Sequence, residues 1–370
     1  MSHKPQGRTW ISLAWVGLTL LSIDWATQLG AATTESWEKI LAAAKREGKV
    51  VIIGPPVASH RGAILKFEEA FPGIRLEFSG LAPAQFEPRI AKEREFQQYL
   101  WDVIVSGISS TVFTRQIPAG WFDPVKPAVL LAEVSDDRKW LGGFDGGFMD
   151  KAKKFAYAFT LNVNRNIYVN RDIVPETEFR SVEDLLDSRW RGKVAWNGPR
   201  LRAAGSATFA HLRQILSDAD LKRLLVDQQP VITSDIRQLA EWVVRGRYPI
   251  GIGVSDTDLT RFQQEGVAHN VRPIDLAIER VSPSWGGVML MNRAPHPNAT
   301  QVFLNWLLGQ NAQKLWAETG GTNSRRLDVP PGDPDTAPDA KKLPKYLSAS
   351  TEENAAMRED AMALAKSLLK

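Results

Sequence analysis

Apolar and polar positions along this chain alternate between two periods. Trp37, Ile40, Leu41 and Ala44 fall at i, i+3, i+4 and i+7, the spacing of one helix face. Gly48 stops that pattern. Residues 50–53 follow as an unbroken β-branched run, too apolar for a half-exposed strand. Gly54-Pro55-Pro56 breaks the strand, Ser59 offers an N-cap, and Ile64, Phe67, Ala70 and Phe71 mark the next helix up to Pro72-Gly73. Residues 74–78 then predict a strand, 86–99 a helix, and 103–105 a third buried strand that stops at Ser106-Gly107. Three such units with short connections predict a parallel sheet covered on both faces.

Residues 155–163 alternate and are the first candidate for a strand crossing between lobes. A second series follows. Ser181 with Asp184 three positions on forms a reciprocal cap, and residues 194–196 make a strand ending at Asn197-Gly198-Pro199. Ser206 is read as the cap of a helix bearing Phe209, Leu212, Ile215 and Leu216. Ile236, Leu239, Ala240, Val243 and Val244 mark another helix, and 250–254 another buried strand. Residues 271–274 and 287–291 predict returning strands, followed by a helix with Ala299, Val302, Phe303, Trp306 and Leu307 on one face. Residues 328–344 are rich in Pro and Asp and predict irregular chain, with a helical tail from Thr351. No internal repeat is present. The economical architecture is α/β: one lobe from 33–160 plus 280–327, a second from 161–279, strand crossovers between them, and 328–370 as a trailing segment.

The N-terminus changes the picture of where the chain works. Lys4 and Arg8 precede an apolar run over residues 10–23, and Gly30-Ala31-Ala32 supplies small residues at a cleavage point. That run is short for a membrane span, which takes about 20 residues. Residues 1–32 are therefore read as a cleavable export signal, and a periplasmic home is expected. With 370 residues, 46 basic and 42 acidic side chains, a formal charge of +4 and no Lys/Arg block, the composition is ordinary and globular and offers no nucleic-acid surface. The absence of Cys excludes disulfides, Cys-ligated metal, thiol catalysis and lipid attachment at an N-terminal Cys. No His-Glu-x-x-His helix, phosphate-cradling Gly-x-x-x-x-Gly-Lys loop or Gly-x-Ser-x-Gly elbow occurs, and Gly251-x-Gly253 lacks its third glycine. No cofactor is implied, and no catalytic residue is assigned.

Five stretches, in order and spacing, resemble the substrate-binding proteins of ABC importers, in particular the group with ferric-iron and phosphonate binders. They are Ala70-Phe71-Pro72-Gly73-Ile74, the Trp101 to Gly107 strand, Ser181 to Trp196, Arg245 to Gly253, and Ala294 to Leu308. The resemblance runs over roughly residues 36–328. It implies a type II periplasmic-binding-protein fold, two lobes that close on a ligand about a strand hinge, an ABC permease as partner, and a monomer. Ferric binders of this group resemble one another at a loop His and an adjacent Tyr pair. His60 matches the first, whereas the second position reads Ser255-Asp256-Thr257-Asp258, without tyrosine. Hard Fe(III) requires anionic oxygen ligands, which Thr does not supply. A metal or metal-chelate receptor would have to rely on His60 and Asp256. An enzyme or a periplasmic sensor subunit is the alternative from another class.

Ligands of open α/β sheets sit beyond the carboxyl ends of strands, where helix N-termini favour anions. That places Ser59, His60 and Arg61 at one loop and Ser106 and Gly107 at a second. In the other lobe it selects Asn197, Arg200, Arg202, Ser206 and Thr208, with Ser255 and Asp256 facing them. Arg61 and Arg200 would neutralise a carboxylate or phosphonate, the hydroxyls would hydrogen-bond it, and Trp285 would pack against it, with Trp196 as a second aromatic wall. The expected ligand is a small anionic organic solute.

Overall fold

The computed structural model describes residues 24–369 except 166, 202, 203, 275, 277 and 278; the side chains of 24–35, 256, 257 and 260 are outside the description. The first half of the chain runs α1 (Asp24–Glu47), β1 (Lys49–Gly54), α2 (Ala58–Ala70), β2 (Arg75–Gly80), α3 (Pro83–Glu95), β3 (Val103–Ser106), β4 (Phe122–Asp123), β5 (Tyr157–Ala158), β6 (Asn162–Asn164) and β7 (Ile167–Asn170). It continues through β8 (Val194–Asn197), α4 (Ala204–Leu212), α5 (Asp218–Lys222), β9 (Val231–Thr233), α6 (Ile236–Val244), β10 (Ile250–Ile252) and α7 (Asp256–Gln264). The last part holds β11 (Val271–Pro273), β12 (Arg280–Ser282), β13 (Gly287–Met291), α8 (Pro297–Leu308), α9 (Gln310–Gly320), β14 (Leu347–Ser348) and α10 (Ala355–Leu368). The apolar run at 10–23 lies outside the described residues, and α1 passes without a break through the expected cleavage point at Ala32. Among the described residues no helix is long and apolar enough to cross a membrane.

Two sheets organise these elements. The first has the order β2-β1-β3-β13-β4, with β5 also on β13. Its β2-β1-β3 portion is parallel, as the strand–helix alternation predicts, but β13 enters antiparallel to β3. That departure is the returning chain inserting beside the first three units. The continuous apolar run of β1 is explained by its place between β2 and β3: Val50, Ile52 and Ile53 are fully buried. Helices α2 and α8 supply Phe67, Val302 and Phe303 to one face, and Phe86 and Ile90 of α3 pack on the other. The second sheet has the order β11-β7-β10-β8-β9, with β10, β8 and β9 parallel and β7 antiparallel to both of its neighbours, β10 and β11. Its core gathers Trp196, Phe209, Leu224 and Ile252. This is the two-lobed α/β fold.

A third, small sheet joins the lobes. Its order is β14-β12-β6: β6 leaves the first lobe, and β12 and β14 both run back towards it. Strand β12 is antiparallel to β6 and parallel to β14. Leu161, Val163 and Val281 are buried there under Leu343 and Tyr346. The tail is thus built into the molecule: after β14, α10 packs Ala361 and Ala365 into the core of the second lobe.

Backbone segments approach closely where β12 turns into β13. The Thr160 hydroxyl donates to the Pro283 carbonyl at 2.5 Å, and Asn162 Nδ2 reaches Ser284 Oγ at 3.4 Å. A Cβ on Gly286 would overlap Thr160 Oγ1. Gly286→Ala is expected to lower unfolding stability by about 1–3 kcal/mol, the usual cost of overpacking a tight site. Urea denaturation followed by tryptophan fluorescence reads it; an unchanged midpoint would show that the crossover is looser than described.

Candidate ligand-binding cleft

The carboxyl ends of β1 and β3 in the first lobe lead into Gly54-Pro55-Pro56 and Ser106-Gly107. Those of β8 and β10 in the second lead into 197–201 and 253–255. Between β8 and α4 the packing is tight. Asn197 Oδ1 accepts from Gly205 N at 3.2 Å, and the Trp196 indole donates to Gly205 O at 3.3 Å. A Cβ at Gly205 would overlap the Asn197 carbonyl oxygen, so only glycine lets the helix start this near the strand end. Trp196 itself is fully buried and stands edge-on to Phe209 at 5.7 Å; it is core and not a wall of the cleft.

Several residues singled out from sequence have other tasks. Ser59 is not the cap of α2. Val57 is, with extended φ −119° and ψ 126° and no side-chain bond, because Pro55-Pro56 holds the chain extended up to it. His60 is buried in α2. Its ring lies edge-on to Trp316 with centroids 4.6 Å apart, and its Nε2 finds no partner among the described residues. Arg61 is exposed and lies 5.7 Å from the Phe78 ring centre. Ser206 is not a cap either: α4 begins at Ala204, which puts Ser206 inside the helix and out of water. Thr208 is buried and returns its hydroxyl to the Ala204 carbonyl at 3.0 Å, the bond helix interiors favour for Thr. Ser255 caps α7 by accepting from Asp258 N at 3.2 Å. Asp256 begins α7, and its side chain, like Arg202, lies outside the described residues.

Others stay close to the strand ends. Ser106 is fully buried, and its hydroxyl has no partner among the described residues. Gly107 passes so near the Ser284 carbonyl that a Cβ would come to 3.0 Å. Trp285 is half-buried and leans on the first-lobe core. Arg200 is exposed and donates to the Leu369 carbonyl at 3.1 Å. Among the described residues, no group of three or more His, Cys, Asp or Glu is arranged to hold a metal ion. A surface pocket of about 610 Å3 around Asp172, Glu265, His269 and Asn270 lies at the opposite end of the second sheet, where β10 begins rather than ends.

The C-terminal helix contributes groups that the sequence reading missed. Arg358 Nε donates to Ser206 Oγ at 3.0 Å, and Glu359 Oε1 accepts from Ser110 Oγ at 3.4 Å. Ser110 belongs to the loop after β3 and Ser206 to the first turns of α4, so two consecutive residues of α10 touch both lobes at their strand ends. A cation and an anion side by side on an otherwise amphipathic tail were the available signal. They passed unnoticed because the resemblance fades after residue 328.

Residues 102–321 match the profile of the family described as bacterial extracellular solute-binding protein. Among curated proteins, iron uptake protein A2 of Synechocystis is 23% identical over 231 residues, 58% of this chain and 62% of that protein. The chain therefore spans about three fifths of the length of that relative. Among solved structures, iron-bound HitA from Pseudomonas aeruginosa has a TM-score of 0.63 at 18% identity, covering 86% of this chain and 99% of that one. Trichodesmium IdiA (FutA) with iron and citrate ligands gives 0.63 at 18%, covering 87% and 99%. The substrate-binding protein of an Agrobacterium tumefaciens ABC transporter gives 0.63 at 13%, covering 87% and 94%. At these identities the structures establish the fold.

His60 makes the interior of the first lobe sensitive to pH. Burial lowers its imidazole from 6.5 to about 4. Between those values the unfolded chain binds a proton that the folded protein refuses. Its contribution to stability is complete above pH 6.5 and falls away as the pH drops towards 4, by at most about 3 kcal/mol. Urea midpoints measured across that window are expected to decline in the parent and to flatten in His60→Gln. An identical decline in the variant would show that His60 is not held neutral.

Proposed function

Because this chain belongs to the bacterial extracellular solute-binding proteins, we propose that it is the solute-capturing component of an ABC importer and that its ligand is a small anionic organic molecule. Ligand contacts from both lobes exist together only when the lobes close, so binding shifts the open–closed population. The closed form is what the permease receives. The N-terminal 32 residues act as a cleaved export signal, and the mature chain works in the periplasm as a monomer without a resident cofactor.

The observation that carries this reading is the donor chemistry at the strand ends. Ser255 stands where ferric binders of the resembling group carry tyrosine, and its hydroxyl is used as a helix cap. Guanidinium groups, by contrast, gather around the start of α4: Arg200 in the loop before it, and Arg358 on Ser206. Guanidinium forks suit carboxylates and phosphonates. Ser106 adds a buried hydroxyl without a described partner, which a ligand oxygen would satisfy. Arg61 is the first-lobe cation assigned to the same ligand. Asn197 and Gly205 act as positioning residues through the start of α4.

A ferric-type receptor is the second reading, favoured by the iron named for the relatives above. It would draw on Asp256 and on His60, whose burial against Trp316 speaks against direct coordination.

Thermal-shift screening separates the two. A di- or tricarboxylate or a phosphonate is expected to raise Tm, with stabilisation near 2.7 kcal/mol at a hundredfold excess over Kd. Arg200→Ala should weaken that ligand at least tenfold, about 1.4 kcal/mol. Stabilisation by Fe(III) alone, with all metal-free anions silent, would overturn the anionic-solute reading in favour of the metal.

A further inference from the structure

We infer that Arg358 and Glu359 of the C-terminal helix form a latch between the lobes, and that an entering anion displaces Glu359 and takes its place beside Arg358. The exchange half of this inference rests on the anionic-solute reading; the latch half does not.

The mounting of α10 decides what these side chains do. Its apolar face is buried along its length: Ala355 at its start belongs to the first-lobe core, and Ala361 and Ala365 belong to the core of the second lobe, so the helix spans the two. Its approach is anchored to the first lobe, where Lys151 N donates to Glu352 Oε2 at 2.7 Å and Glu352 N to the Met149 carbonyl at 2.8 Å. Successive side chains on a helix point about 100° apart. Arg358 and Glu359 therefore reach different neighbours. Arg358 reaches Ser206 of the second lobe, and Glu359 reaches Ser110 of the first. Both side chains are half-buried.

Three consequences follow from charge and strength. A hydroxyl-to-carboxylate bond at 3.4 Å, partly open to water, is weak, and biases a two-state equilibrium by about fivefold. It favours closure without locking it. A ligand carboxylate entering between Ser110 and Arg358 would also be repelled by Glu359 unless that side chain swings away. Arg358 then gains a partner that it shares with both lobes, so the anion keeps the closed form that Glu359 had favoured.

The absence of Cys makes the test clean, because labels attach only where cysteines are introduced. Lys92→Cys on α3 and Arg237→Cys on α6 are exposed positions, one in each lobe. Spin labels there report the lobe separation in the full-length chain by pulsed dipolar spectroscopy. Without ligand, Glu359→Gln and Ser110→Ala should each move the distribution towards longer distances, by about fivefold in the open-to-closed ratio. With citrate as the probe, the parent should shorten and Arg358→Ala should not. Unchanged ligand-free distributions in both Glu359→Gln and Ser110→Ala overturn the latch. An Arg358→Ala chain that closes on citrate as the parent does overturns the exchange. A parent indifferent to citrate counts against the anionic-solute reading, and the latch is then decided on the ligand-free distributions.

Discussion

Three short strands, not two, carry the connection between the lobes, and that small sheet constrains everything placed around it. With β6 and β12 alone, each lobe would hang on a two-stranded ribbon, which is marginal as an isolated unit. Strand β14 adds a ladder to β12. Leu343 and Tyr346, just before it, cover the apolar residues Leu161, Val163 and Val281. Strand β14 runs back towards the first lobe, and α10 starts there at Ala355 and carries Ala361 and Ala365 into the second. Had the tail ended in the first lobe, the second lobe would lose the apolar face that α10 lays on α4, and the strand ends would lose Arg358 and Glu359.

The site inherits its shape from this constraint. Side-chain contacts at the crossover, Thr160 on Pro283 and Asn162 toward Ser284, tie the segment leading into β6 to the turn that leads into β13. In the second lobe, Asn197 and Gly205 fix the start of α4 against β8. Hinge closure, as proposed, would change the angle between the lobes. Side chains that bridge them therefore matter more than their individual strength suggests, since a modest bias on a hinge is spread over the whole cleft.

Long-period patterns made the lobes legible. The unbroken apolar runs at 50–53, 103–105 and 250–254 fall in buried strands, because a strand flanked by partners and covered on both faces tolerates no polar side. Caps were less legible. Ser59 and Ser206 are residue types that favour N-caps, yet α2 begins after Val57 and α4 at Ala204, where extended Pro-Pro geometry and a glycine-only contact override side-chain preference. The short hinge strand β14 was invisible: a two-residue ladder carries no period. Arg325 and Arg326, which composition alone would send to the surface, are buried. The first donates to the Ala158 and Leu141 carbonyls, and the second pairs with Glu133 and Asp328. Asp328 is a near neighbour in the chain, but no local pattern announces the distant partners Leu141, Ala158 and Glu133.

The histidine shows why matching a residue type to a family position is weaker evidence than matching its environment. His60 sits at the start of a helix beyond a strand end, the place from which an imidazole could reach a ligand. Here Trp316 and Gly320 of α9 close over it: a Cβ on Gly320 would come within 2.9 Å of Nε2. Packing of that kind turns a ligand-type side chain into a piece of core and leaves its basicity depressed by burial. Arg358 and Glu359, a guanidinium and a carboxylate, stand on a helix that meets both lobes. The C-terminal segment thus supplies both a strand of the small joining sheet and side chains at the strand ends.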